Sequence, residues 1–300
     1  MQPLNLLKKL VSFSSAYPQE KEVGNFLVTY LKEIGFEVTI QEISSGRNNI
    51  FAQKNKKGKA ILFYGHQDTV PIANPQSWNT QPLELTEKDG RYYGLGVVDI
   101  KGGIAAILEA TKQTEAYIKV FLAVDEENIS EGAWKAVQDE KTKYFFEDVQ
   151  LVISVEPNFG VGENTIAIGR TGRVVYQTEF NGLASHIANY KKGVDAIWMM
   201  SNFIGKLYGQ RDDLFSSQYT VAQIRKVSGE SSGMSVCGEA FAEIEVILGD
   251  TDSIESVRKQ LQTLTKDKVV IKPRKTPYLE GYSFKKFPYK EIISKIIKNN

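Results

Sequence analysis

Short apolar runs in the first half of the chain alternate with stretches of helical periodicity. The apolar runs are residues 60–64, 120–124 and 151–155, and the helical stretches between them are residues 101–116 and 133–137. An apolar run of four to eight residues bounded by turn signals is typical of a strand buried on both faces. The alternation predicts parallel strands connected by helices, which is the α/β class.

Helices and one more strand are predicted before this alternation. Residues 21–34 have one apolar helical face and end at Gly35, and residues 36–43 alternate as a strand. The first residues predict an amphipathic helix rather than a signal peptide, with an apolar face formed by Leu4, Leu7, Leu10 and Val11. No run approaches the roughly 18 apolar residues that a membrane span needs. We therefore expect a cytoplasmic protein.

The pattern changes near Gly169 to longer alternating strands. Strands are predicted over residues 174–181, 219–227, 239–248 and 269–272, and helices over residues 194–207 and 253–264. Within residues 174–181, one side of the strand carries Val174, Tyr176, Thr178 and Phe180. The other side carries Val175 and three polar residues, Gln177, Glu179 and Asn181. The order β-α-β-β-α-β predicts a ferredoxin-like α+β module. One more amphipathic helix is predicted over residues 289–297.

Acidic residues or a histidine follow each of the three apolar runs, and a glycine-flanked aspartate lies between the first two. These residues are His66, Asp68, Asp99, Glu126, Glu127 and Glu156. In open α/β sheets, ligands bind beyond the carboxyl ends of the strands. We therefore expect these side chains to converge, and one imidazole among several carboxylates indicates a site for a divalent metal ion.

The spacing within this set suggests individual roles. Because residues i and i+2 of an extended segment point to the same side, Asp68 can orient the imidazole of His66. A single ion held by His66, Asp99 and Glu156 fits the geometry of a catalytic zinc site. If Asp99 instead bridges to a second ion held by Glu127, the site becomes a two-metal centre.

Several other classes of function are disfavoured. Residues 125–127 could end a magnesium-binding strand of a nucleotide hydrolase, but the chain has no Gly-x4-Gly-Lys-Ser/Thr loop. The 37 basic and 36 acidic residues give a net charge of +1, which offers no argument for nucleic acid or an anionic membrane. The single cysteine, Cys237, excludes an intramolecular disulfide.

These motifs resemble those of the M20 metallopeptidase family, which includes acetylornithine deacetylase, succinyl-diaminopimelate desuccinylase, aminoacylases and several peptidases. The matching stretches are residues 65–71, 96–103, 125–133 and 155–157, and they fit in order and spacing. The resemblance implies a metallopeptidase-type α/β catalytic domain, with a mixed, largely parallel sheet and helices on both faces. It also implies that the ferredoxin-like module is an inserted lid and dimerisation domain. The catalytic domain would comprise residues 1–169 and 274–300, and the lid residues 170–273.

The resemblance also implies roles for individual residues. His66 and Glu156 would hold one metal ion, Asp99 would bridge, and Glu127 would hold the second ion. Glu126 would be the general base that activates a metal-bound water, and Asp68 would orient His66. His186 resembles a lid histidine that reaches the active site of a partner subunit and stabilises the oxyanion. The implied cofactor is Zn²⁺ or Co²⁺, one or two per subunit, in a homodimer formed through the lid.

The implied reaction is hydrolysis of an amide bond in an N-acyl amino acid or small peptide. The family carries one more histidine near its C-terminus, whereas this sequence has two histidines and stops at Asn300. Two hypotheses follow from that difference. The sequence is either part of an active metallohydrolase or a truncated, catalytically weak or inactive relative that acts as a dimerising or binding protein.

Overall fold

The computed structural model describes residues 2–157, 165–265, 269–274, 278–284 and 286–298. The chain divides into two compact units, Met1–Gly160 and Val161–Asn300. The described helices are α1 (Pro3–Val11), α2 (Lys21–Glu33), α3 (Gly102–Ala110), α4 (Glu131–Gln138), α5 (Ala196–Gln210), α6 (Ile254–Thr263) and α7 (Lys290–Lys298).

The described strands form one five-stranded sheet, one four-stranded sheet and two short pairs. In the first unit they are β1 (Glu37–Ser44), β2 (Arg47–Lys54), β3 (Ala60–His66), β4 (Thr86–Lys88), β5 (Arg91–Tyr93), β6 (Ile118–Ala123) and β7 (Val149–Ser154). In the second unit they are β8 (Gly169–Arg170), β9 (Gly172–Asn181), β10 (Val221–Gly229), β11 (Glu239–Leu248), β12 (Val269–Pro273) and β13 (Tyr282–Ser283).

The first unit is built on a mixed sheet with the order β1-β2-β6-β3-β7. Strand β3 pairs in parallel with both β6 and β7, whereas β2 runs antiparallel to β6 and β1 antiparallel to β2. The three apolar runs are thus confirmed as parallel strands, and they are neighbours in the sheet. Their carboxyl ends lie at one edge of the sheet, because His66 is opposite Ala123 and Tyr64 is opposite Ser154.

Helices cover both faces of this sheet, which confirms the predicted α/β class. The central strand β6 is buried along its whole length, and its alternate side chains enter different cores. Val120 and Leu122 pack with apolar residues of α1, α2 and α3, including Leu10, Leu27 and Leu108. On the opposite face, Phe121 stacks on Phe51 at 4.8 Å between ring centroids and packs with Ala136 of α4.

Two details of the first unit differ from the sequence-based expectations. Strand β2 was not predicted, although it joins β1 to the centre of the sheet. The helix predicted over residues 101–116 is shorter, because α3 ends at Ala110 and a tighter turn, Thr111–Gln113, follows. The Thr111 hydroxyl donates to the carbonyl of Leu108, which gives the chain a local alternative to continuing the helix.

The second unit contains the predicted β-α-β-β-α-β module. Its sheet has the order β10-β11-β9-β12, and every pairing is antiparallel. The residues predicted to share one side of β9 are all fully buried; they are Val174, Tyr176, Thr178 and Phe180. The apolar members of this set pack with residues of α5 and α6, including Phe203 and Leu261. The assignment of residues 274–300 to the catalytic domain stays a prediction.

Among the described residues, no helix combines the length and the apolar character that a membrane crossing requires.

Candidate metal centre

His66 lies at the centre of the predicted cluster. It is the last residue of β3 and is 1% exposed. Its Nε2 atom lies 3.0 Å from Oδ1 of Asp99 and 3.6 Å from Oε1 of Glu156. Asp99 lies in the irregular turn before α3, and Glu156 follows β7. Three segments that are distant in sequence therefore bring their polar side chains to one ring nitrogen.

The other nitrogen of His66 is held by Asp68. Nδ1 lies 3.0 Å from the backbone carbonyl oxygen of Asp68 and 3.6 Å from its carboxylate. An N–H at Nδ1 can donate to that carbonyl, which leaves Nε2 as the atom available to a metal ion. The i, i+2 spacing thus places Asp68 next to the imidazole, with the backbone oxygen as the closer partner.

Asp68 has a second set of contacts that the sequence did not indicate. Its carboxylate oxygens accept the backbone N–H groups of Glu126 at 3.1 Å and Glu127 at 2.9 Å. The side chain is fully buried, so these hydrogen bonds are shielded from water. Asp68 therefore connects the segment after β3 to the segment after β6, which carries the two glutamates.

The candidate donors form two overlapping groups. Ligand atoms of His66, Asp99 and Glu156 all lie within 4.8 Å of one another, and the same holds for His66, Glu126 and Glu127. One imidazole with several carboxylates is a donor set that suits zinc and similar divalent ions. The residues therefore fit a metal centre. Both groups share His66, so the second group has no histidine of its own among the described residues.

The proton affinities of these groups reflect burial together with a concentration of negative charge. Burial, reinforced by the charge of Asp99, raises the pKa of Glu127 to about 7, and burial is also the main cause that raises the pKa of Glu156 to about 7. Burial opposes a charge on His66, but hydrogen bonds to Asp68 and Asp99 outweigh it and raise the pKa of His66 to about 11. The metal-free cluster therefore retains protons, and a divalent cation can replace them.

Asp125 belongs to the same acidic triplet but has a different environment. It is completely buried and makes a 3.1 Å ion pair with Arg47. It is absent from both candidate donor groups among the described residues. Of the three consecutive acidic residues 125–127, only the last two therefore present oxygens to the cluster.

His186 is in the second unit. It precedes the turn Ile187–Lys192, and its Nδ1 accepts the backbone N–H of Ala188 at 3.2 Å. All the other predicted site residues belong to the first unit. The proposed contribution of His186 to catalysis stays a prediction.

Comparisons with known proteins point to one family. The model of a family described as peptidase family M20/M25/M40 matches residues 62–286. A succinyl-diaminopimelate desuccinylase from Nautilia profundicola is 30% identical over 281 residues, which is 87% of this chain and 71% of that protein. An acetylornithine deacetylase from Vibrio parahaemolyticus is 29% identical over 229 residues, which is 71% of this chain and 57% of that protein.

A similar fold occurs in a solved structure of a tripeptidase from Staphylococcus aureus. Its TM-score is 0.69 at 20% identity, and the superposition covers 99% of this chain and 81% of the tripeptidase. This likeness supports the fold described above.

Proposed function

Because this chain belongs to peptidase family M20/M25/M40, we propose that it is a metal-dependent hydrolase that cleaves amide bonds in N-acyl amino acids or small peptides. The observation that carries the proposal is the convergence of His66, Asp99, Glu156 and the pair Glu126 and Glu127 at the carboxyl ends of three adjacent strands. This edge is where open α/β sheets bind their ligands.

In this proposal His66, Asp99 and Glu156 would hold one divalent ion, and Asp99 and Glu127 would hold a second. Zinc or cobalt suits the mixture of imidazole and carboxylate donors. A bound divalent ion would polarise the scissile carbonyl and would lower the pKa of water toward neutrality. The family resemblance supports the two-ion arrangement, and the shared imidazole of the two donor groups supports at least one ion.

The chain's own residues handle the protons. The Glu126 carboxylate accepts a proton from the attacking water and delivers it to the nitrogen of the leaving amine. Amide and water thereby become a carboxylic acid and an amine, which exchange one proton to leave as a carboxylate and an ammonium, with no proton left on Glu126. Asp68 orients His66 and fixes the backbone at residues 126 and 127. In the proposed homodimer, His186 of the partner subunit donates to the carbonyl oxygen as negative charge develops there.

A substrate panel tests this function. Protein freed of metal and then supplied with zinc or cobalt would be incubated with N-acetyl amino acids, N-succinyl amino acids and dipeptides, and the released amine quantified. We expect metal-dependent release from at least one class and none from Glu126→Gln. Failure of metal-loaded protein to cleave any class would favour the alternative, a catalytically weak relative that acts as a binding protein. Sedimentation of the same samples tests the proposed homodimer.

A further inference from the structure

The segment that carries Glu126 and Glu127 has an unusual backbone. We call residues 124–132 the acidic loop; it leads from the end of β6 into α4. Asp125 and Ser130 have φ angles of +71° and +57°, in the left-handed region that residues other than glycine rarely adopt. Such conformations persist only where surrounding contacts fix them. The loop therefore requires anchors outside itself.

The first anchor is Asn49 of β2, which joins the two ends of the acidic loop. Its Oδ1 accepts the backbone N–H of Val124 at 3.2 Å, and its Nδ2 donates to the carbonyl of Gly132 at 2.8 Å. Nδ2 also donates to Oε1 of Gln41 at 2.9 Å, so both amide hydrogens are engaged. Asn49 is fully buried, so no water competes for these contacts. It fixes where the loop leaves the sheet and where it returns.

The second anchor is Arg47 of β2, which binds the interior of the loop. One of its terminal nitrogens donates to Oδ1 of Asp125 at 3.1 Å, while Oδ2 of Asp125 accepts the backbone N–H of Glu131 at 3.0 Å. The guanidinium is itself held by a two-pronged contact with Glu20, at 2.8 and 2.6 Å. The central carbon of the guanidinium, Cζ, lies over the Tyr17 ring, 4.5 Å from its centroid.

The position of these anchors in the sheet explains why they reach the loop. Strand β2 runs antiparallel to β6, with Ile50 opposite Leu122. Residues 47 and 49 therefore lie beside the carboxyl end of β6, where the loop begins. A buried ion pair of this kind contributes little net stability compared with apolar residues of similar volume. A role in fixing geometry accounts for the burial of Arg47, Glu20 and Asp125 better than a role in stability.

We propose that Arg47 and Asn49 are positioning residues that hold the acidic loop so that the carboxylates of Glu126 and Glu127 face His66. The inference rests on the proposed function for its catalytic consequence. The geometry of the loop is independent of that function, because every contact involved lies within the metal-free protein.

Two variants test the proposal. Arg47→Lys keeps the charge but loses the planar fork, and Asn49→Ser keeps a polar side chain that is too short to reach both ends of the loop. The matched control is Lys119→Arg, which changes a buried cation at the start of β6 that is paired with Asp148. All three would be compared with wild type by circular dichroism to confirm folding.

The first readout is amide hydrogen exchange in the metal-free protein. We expect exchange of the Glu131 amide to be about tenfold faster in Arg47→Lys, because its hydrogen bond to Asp125 is loosened. Asn49→Ser should accelerate the Val124 amide in the same way. In Lys119→Arg both amides should exchange as in wild type.

The second readout separates positioning from general destabilisation. Metal titrations should show an ion at Glu127 bound about 10–100-fold more weakly in both variants, with the ion at Glu156 little affected. The value of kcat should fall while KM stays near that of wild type. Amide exchange rates unchanged from wild type would overturn the proposal, and so would an equal loss of affinity for both ions. Wild-type protein that bound no metal would instead overturn the proposed function, and hydrogen exchange would still decide the role of the anchors.

Discussion

The carboxylate of Asp68 accepts the backbone N–H of Glu127 at 2.9 Å, although the two residues follow different strands of the sheet. The same carboxylate also accepts the N–H of Glu126, and the Asp68 carbonyl faces the imidazole of His66. The buried Asp68 thus fixes the orientation of the His66 ring and the position of the backbone at Glu126 and Glu127. Its substitution should therefore affect more than the histidine.

We expect Asp68→Asn to weaken metal binding by about 10–100-fold and to lower the free energy of unfolding by about 1–3 kcal/mol. The amide nitrogen of asparagine is a donor, so it cannot accept the second backbone N–H. Isothermal titration with zinc and chemical denaturation measure the two effects. Asp213→Asn, at an exposed position, is the control and should change neither quantity. Wild-type metal affinity in Asp68→Asn would contradict the assignment.

Glu126→Gln should leave the number of bound ions unchanged and lower kcat by about 10²–10⁴-fold. Glutamine keeps the shape of glutamate but cannot take a proton from water. Steady-state kinetics on the best substrate of the panel, with metal analysis of the same samples, makes the measurement. Glu131→Gln is the matched control, because the Glu131 side chain pairs with Lys135 and contributes to neither donor group. Comparable losses in both variants would argue against Glu126 as the base.

The metal-free protein should become less stable as the pH rises from about 5 to 8. Burial is the main cause that raises the pKa of both Glu127 and Glu156 to about 7, from 4.5, so the folded state binds more protons than the unfolded state between these values. For His66, burial alone would lower the pKa, but bonds to Asp68 and Asp99 raise it from 6.5 to about 11. Its stabilising contribution is complete below pH 6.5 and is lost as the pH rises toward 11.

Thermal melts at several pH values, with chelator and then with zinc, check this expectation. Chelated protein should melt at progressively lower temperature as the pH rises, whereas zinc should stabilise most at high pH because it competes with fewer protons. In the double variant Glu127→Gln and Glu156→Gln, the dependence on pH should be weaker. A melting temperature that rises with pH in the presence of chelator would show that the cluster is not protonated in this way.

His186→Ala should reduce kcat by about 10²–10³-fold, the usual effect of removing an oxyanion donor. Metal stoichiometry should stay that of wild type, because all candidate metal donors are in the other unit. His186→Asn retains a donor and should recover part of the lost activity. If His186 acts on the site of a second copy, mixing His186→Ala with Glu126→Gln should restore turnover that neither variant has alone. Unchanged kcat in His186→Ala would remove this residue from the mechanism.

The parallel strands of the first unit could be predicted because they are buried on both faces and therefore read as apolar runs. Strand β2 could not, since it begins with the polar residues Arg47, Asn48 and Asn49, and asparagine is typical of turns. Two of these three are nevertheless buried. Their burial depends on partners in the acidic loop, which lies far away in the sequence and leaves no trace in the local pattern.

The candidate donors were predictable because each follows a recognisable strand or glycine-rich turn. The order of the strands was not, since the spacing along the chain does not reveal that β3 lies between β6 and β7. Likewise, the i, i+2 spacing of His66 and Asp68 indicated their proximity but not the two backbone N–H groups that Asp68 binds. Contacts to the main chain carry no residue-type signature, so they emerge only from the folded structure.

All the candidate metal donors lie within Met1–Gly160, and the ferredoxin-like sheet lies entirely within Val161–Asn300. Substitutions in the second unit therefore leave the metal donors found among the described residues unchanged. The two halves of the sequence are free to diverge at different rates.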